Sequence, residues 1–163
     1  PMLFKAMDQF FRDVEWGELD YLVIDLPPGT GDVGLTMAQK VPVHGAVLVC
    51  TPQGVALADA KKAVDMFERT NVPLLGVVEN MSGEFFGTGG GEKLAQIKKV
   101  PFLGRIPMDA EIRKGGDFGR PVAVTAPDSV SGKALNAMAQ AVAARVSVVM
   151  LANADVIPLT IIG

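Results

Sequence analysis

Four short apolar runs, each closed by polar or turn residues, constrain this chain more than any other feature of its sequence. They are Tyr21 to Ile24, Ala46 to Val49, Leu74 to Val78 and Phe102 to Ile106, and segments of helical character separate them. A short, predominantly apolar run of four or five residues reads as a strand buried on both faces. Such strands pair in parallel when helices intervene, because a parallel connection needs a crossover and the crossover helix covers the sheet. The expected fold is α/β, a mostly parallel sheet with flanking helices.

The helices follow from a 3.6-residue period. Leu3, Met7, Phe10, Phe11 and Val14 recur at helical spacing at the N-terminal end. From about Val55 to Arg69, Leu57, Ala60, Val64 and Phe67 share one face, Asp65 and Arg69 stand at pairing distance, and Asn71-Val72-Pro73 ends the helix. Between Gly115 and Asp128 no period persists, and an extended loop is expected. Leu135, Met138, Val142, Val146 and Val149 then mark a long final helix, with Asp128 or Ser129 as its N-cap. In the tail, Val156 to Ile162 could form a strand that Pro158 would restrict to an edge. Residues 1–163 are expected to form a single unit in which 151–163 is a C-terminal tail.

Composition excludes several function classes. The 163 residues are 49% hydrophobic and 20% charged, enough to bury a core, and the net charge of -3 comes with no basic stripe for a nucleic-acid backbone or an anionic membrane. The most apolar stretches, such as Ala46 to Val49 and Val146 to Ala152, fall short of the roughly 20 residues that span a bilayer. Cys50 is the only cysteine and has no intramolecular disulfide partner, so a reducing, cytoplasmic setting is expected. Cys50 reads as a core thiol and His44, without a second histidine, as a strand-end residue; the eight methionines read as core filling.

The segment from Tyr21 to Asp32, with Asp25-Leu26-Pro27-Pro28-Gly29-Thr30-Gly31-Asp32 at its end, carries the most chemistry. An apolar strand that delivers a carboxylate at its C-terminal end is how nucleotide hydrolases hold Mg²⁺, and Asp25 fits that role. Gly29 would let the backbone approach a terminal phosphate and donate an N–H. A buried strand ending in a Pro-Gly turn, with Asp25 capping a loop, accounts for the same residues equally well. Asp32 reads as the N-cap of a helix from Val33 to Lys40. Asn80, taken alone, is a strand-end turn residue.

Together with further motifs in matching order, that segment resembles the Mrp branch of the MinD-like P-loop ATPases, the Mrp/ApbC-type iron-sulfur cluster carriers. The further motifs are Thr51-Pro52-Gln53, Val78-Glu79-Asn80-Met81-Ser82, Phe86-Gly87-Thr88-Gly89-Gly90-Gly91 and Phe102-Leu103-Gly104-Arg105-Ile106-Pro107-Met108-Asp109. The similarity covers about residues 1 to 125. It implies an ATPase that delivers iron-sulfur clusters to apoprotein clients as a homodimer. It also implies that Asp25 positions Mg²⁺ and its water, that Gly29 meets the terminal phosphate, and that Asn80 with Pro107 and Asp109 holds the adenine.

Two departures from the family shape the expectation. The family's phosphate-binding loop, G-K-G-G-V-G-K-[ST], does not occur in these residues; Gly89-Gly90-Gly91-Glu92-Lys93 lacks its spacing and reads as a mobile loop and helix start. The family's C-x-x-C is also missing, since only Gly83-Glu84-Phe85 lies between Met81-Ser82 and Phe86-Gly87. The chain is thus expected to be the later part of a P-loop NTPase domain, inactive toward ATP by itself and carrying no stable cluster through this region. A non-enzymatic interaction module or heterodimer subunit, and a MinD/ParA-like positioning ATPase, are the alternatives.

Overall fold

A computed structural model describes residues 5, 9–11, 13–26, 41 and 43–153. Gly29, Asp32, the helix expected from Val33 to Lys40 and the tail strand expected from Val156 to Ile162 lie outside the described residues. Three of the four apolar runs are strands: β1 (Ala46–Cys50), β2 (Leu74–Ser82) and β3 (Phe102–Pro107). Both pairings are parallel, in the order β1-β2-β3. Helix α1 (Gly54–Arg69) connects the first two strands, and α2 (Gly90–Lys98) connects the second and third. After β3 come α3 (Ala110–Asp117), the single turn α4 (Val122–Thr125) and the long α5 (Val130–Asn153).

Each face of the sheet is covered by the apolar stripe of its helices. On one side Ala60 and Val64 of α1 and Leu94 and Ala95 of α2 pack with Leu48, Cys50 and Val77. On the other, Ala134, Leu135, Met138, Ala141 and Val142 of α5 pack against Val78, Leu103 and Ile106. Successive residues of β2 therefore enter opposite cores, as the two-residue period of a strand requires. Thr70 and Asn71, the latter left-handed at φ 56°, close α1, and the Thr70 hydroxyl donates to the Met66 carbonyl at 3.0 Å. Ser129 caps α5, its hydroxyl accepting from the Gly132 N–H at 3.0 Å.

Several expectations are corrected. Residues 21–26 form no strand, and Val23 in their middle is 90% exposed. An apolar run becomes a strand only where a neighbour takes up its N–H and C=O groups, and none of the described strands pairs with it. The loop expected between Gly115 and Asp128 holds the end of α3 and all of α4. Pro121 presets the α4 start and Val122 is buried, while Asn136 of α5 donates to the Ala123 carbonyl at 3.3 Å. One turn is too short to show a period. Asp65 meets Lys98 of α2 at 2.7 Å, with Glu68 also beside that lysine, so a link between helices replaces the expected pair with Arg69.

Helix α5 also exceeds the apolar length read from the sequence. By length and composition, Val130–Ala152 is long and apolar enough to cross a membrane, with a mean hydropathy of 1.5. Its inner face is committed to the sheet through the contacts above, and Arg145 Nε donates to the Leu75 carbonyl at 3.3 Å.

The exposure difference between the two apolar runs is testable by denaturant unfolding. Leu103→Ala removes a buried side chain from between β3 and α5 and should lower stability by about 2–5 kcal/mol. Val23→Ala should change it by less than about 0.5 kcal/mol. Equal losses would place residues 21–26 in the core.

Candidate functional site

Parallel strands end together, so the C-terminal ends of β2 and β3 and the start of α2 share one edge of the sheet, where open α/β sheets bind ligands. The chain places a charge there. Glu79, the sixth residue of β2, is fully buried at 0% exposure, directly after the buried Val77 and Val78. Its Oε1 accepts from Arg105 Nε at 2.7 Å, from the Ser82 hydroxyl at 2.9 Å and from the Gly89 N–H at 3.0 Å; its Oε2 accepts from the Gly91 N–H at 2.7 Å. Arg105 is the parallel partner of Glu79 on β3, and its second nitrogen reaches Glu92 of α2 at 3.1 Å.

Burial alone would push the Glu79 carboxyl up. The Gly89 N–H, the Arg105 guanidinium, the Gly91 N–H and the Ser82 hydroxyl outweigh it together and hold the group below its usual range. Cys50, in the same core, moves the other way. Burial first, and the negative charge of Glu79 second, push its thiol up to about 11. A thiol so shifted is protonated at neutral pH and is neither a nucleophile nor a ready metal ligand.

The glycine run is built for this carboxylate. Gly89 is left-handed at φ 88°, and a Cβ on Gly91 would lie 2.9 Å from the Glu79 Cβ, while one on Gly90 would strike the Pro52 carbonyl. The first N–H groups of α2 point at an anion, as helix N-termini do, and that anion is the chain's own. Gly89 to Gly91 is thus a helix start, as expected, but pinned by hydrogen bonds rather than free, and it is no phosphate cradle.

The expected base-binding residues come together. Asn80 is half-buried and its Oδ1 accepts from the Met81 N–H at 2.9 Å; among the described residues its amide nitrogen has no partner. Ser82 pairs with Pro107 across the strands, and its carbonyl accepts from the Met108 N–H at 2.8 Å. The turn after β3 is thereby tied to the residues just past Asn80. Asp109 caps α3, accepting from the Glu111 N–H at 2.9 Å and from the Ser131 hydroxyl at the start of α5. The Ser131 hydroxyl first, and the Glu111 N–H second, hold its carboxyl below the usual range. Both Asp109 oxygens are engaged, one in capping α3 and the other with the Ser131 hydroxyl.

Asp25 does not join this group. It is exposed, on the segment that pairs with no strand, and among the described residues no cluster of three or more His, Cys, Asp or Glu forms a metal site. Glu79 and Arg105 were not singled out from the sequence as site residues. The signal was present: a Glu directly after one apolar run and an Arg within the next put opposite charges on neighbouring strands.

The fold and the edge just described define a class, the parallel α/β domain of MinD-like P-loop NTPases. The cell division ATPase MinD of Pyrococcus furiosus matches with a TM-score of 0.69 at 26% identity, over 88% of this chain and 57% of that one. A nucleotide-binding protein of Archaeoglobus fulgidus, solved in complex with ADP, matches with a TM-score of 0.66 at 42% identity, over 73% of this chain and 53% of that one. The sequence model of the ParA family described as NUBPL iron-transfer P-loop NTPase matches residues 1–143, and the chain belongs to that family. The iron-sulfur cluster carrier protein of Deinococcus radiodurans is 51% identical over 91% of this chain and 45% of its own length. The mouse iron-sulfur cluster transfer protein NUBPL is 46% identical over 82% of this chain and 45% of its own length. The chain spans about half the length of the curated relatives it matches.

The lowered carboxyl of Glu79 sets a pH dependence. A group whose folded pKa lies below its unfolded one contributes stability that is complete above the unfolded value, about 4.3 for Glu, and is lost as pH falls through the folded value. The stability gap between the native chain and Glu79→Gln should therefore be widest near neutrality and shrink below about pH 4. Denaturant titrations from pH 7 to 3 measure it; a gap independent of pH would contradict a charged Glu79.

Proposed function

We propose that this chain supplies the base-binding side of the nucleotide site of an ATP-dependent iron-sulfur cluster carrier. One observation carries the reading: adjacent parallel strands bring Asn80 together with the Pro107–Asp109 turn through the Ser82–Met108 hydrogen bond. An amide with an uncommitted N–H₂ beside a turn offers a purine edge a donor and a bounded surface. Pro107, which has no N–H to give, shapes that turn, and Asp109 holds it by capping α3. The relatives at 46–51% identity are cluster carriers and transfer proteins, whereas the MinD of P. furiosus stands at 26%, which favours cluster delivery over division-site positioning.

On this reading the phosphate side comes from chain outside these 163 residues, which contain no phosphate-binding loop. Mg²⁺ bound with ATP would neutralise phosphate charge. Asp25 alone, exposed and unpaired to any strand, makes no site for it; its role as the Mg²⁺-positioning carboxylate requires residues 21–26 to enter a sheet. Gly29 would meet the terminal phosphate. Clients are apo iron-sulfur proteins, the working form is a homodimer, and the setting is cytoplasmic. The cluster is cargo that this region does not itself ligate, since Cys50 is buried and protonated and no C-x-x-C is present.

Calorimetry tests the assignment. The 163-residue chain should show neither tight Mg-ATP binding nor turnover. Joined to a phosphate-binding loop it should bind, and Asn80→Ala should then weaken ATP by about 1–3 kcal/mol. Micromolar binding and turnover by the chain alone, or unchanged ATP affinity in Asn80→Ala, would refute this division of labour.

A further inference from the structure

Met81 is left-handed at φ 54°, and it is neither glycine nor asparagine. A bulky residue is uncommon there and persists only where its surroundings hold it. Two side-chain hydrogen bonds bracket it. On one side the Asn80 Oδ1 accepts from the Met81 N–H at 2.9 Å; on the other the Ser82 hydroxyl donates to the Glu79 Oε1 at 2.9 Å. The second bond spans residues 79 to 82 and closes a clamp over Asn80 and Met81. Glu79 is anchored independently of that clamp by Arg105 and by the Gly89 and Gly91 N–H groups.

We propose that Glu79 is a positioning residue for base recognition: through Ser82 its carboxylate fixes the backbone that carries Asn80 and the turn from Pro107 to Asp109. This deepens, and rests on, the nucleotide reading above. An apolar side chain would fill the same volume without the cost of burying a charge, and buried ion pairs are often no more stabilising than apolar replacements. What a carboxylate adds is direction. Its four donors come from the β2 end, the loop before α2, the first turn of α2 and β3, so one group ties together the segments that surround Asn80. Ser82 carries the constraint onward: its hydroxyl is held by Glu79 while its carbonyl holds the Met108 N–H at 2.8 Å. Glu79 touches no base. It acts on recognition through Asn80 and the β3 turn.

The test uses a polypeptide that joins this chain to a phosphate-binding loop and reads affinities for Mg-ATP and Mg-GTP together with the thermal midpoint. Ser82→Ala opens the clamp and leaves the other three donors on Glu79. Glu79→Gln keeps the shape but turns one oxygen into a donor facing donors. Asn80→Ala is the reference. In Ser82→Ala the ATP-over-GTP preference should fall about tenfold while GTP affinity stays within about twofold, and Glu79→Gln should follow where it folds. Equal weakening of both nucleotides, or an unchanged preference in Ser82→Ala when Asn80→Ala has lost it, overturns the inference and leaves base reading by Asn80 standing. A native protein with no preference, unaltered in Asn80→Ala, overturns the nucleotide reading and this inference with it.

Discussion

A single buried carboxylate organises the functional edge of this domain. Glu79 sits in the most enclosed strand, where an unpaired charge would cost several kcal/mol, and its burial is offset only because four donors converge on it. Each donor belongs to a different part of the chain, so pairing the charge also fixes geometry. Arg105 locks β3 against β2, Gly89 and Gly91 set where α2 begins, and Ser82 closes the end of β2. The requirement propagates into sequence: Gly90 and Gly91 leave no room for a Cβ because the helix start lies directly against Pro52 and Glu79. Glu92 extends the network by holding the outer nitrogen of Arg105.

Much of the scaffold was legible in the sequence because it depends on local period. The runs that became β1, β2 and β3, the stripe of α1 and the long face of α5 each bury residues whose spacing announces the burial. Residues 21–26 carry the same apolar signal and form no strand, since strand formation depends on a neighbour and spacing says nothing of who is adjacent. Asp65 shows the same limit at a surface: an i,i+4 partner was available in Arg69, yet the crossover brought Lys98 nearer. Helix α4 escaped because a single turn cannot repeat.

The site was half legible. Asn80, Pro107 and Asp109 stand at one edge of the sheet, but Asp109 engages one oxygen in capping α3 and the other with the Ser131 hydroxyl, which no motif announces. Glu79 lay inside a quoted motif while its role depended on Arg105, 26 positions away and adjacent only through strand register. The glycine run was read as a mobile loop and helix start because its partner, a carboxylate near the end of the preceding strand, is invisible to local pattern. The elements that carry Asn80, Pro107 and Asp109 are mutually pinned, while Asp25 stands on an unpaired segment. This asymmetry accords with a chain that spans about half the length of its relatives.

The central claim, that the Glu79 carboxylate pins the start of α2 and the end of β2, is tested most directly by amide hydrogen exchange at single residues. If it holds, the Gly89 and Gly91 amides exchange as slowly as those of the central strand in the native chain and become fast in Glu79→Gln, while amides in the middle of α5 stay protected in both. Gly89 and Gly91 amides that already exchange at loop rates in the native chain would contradict it.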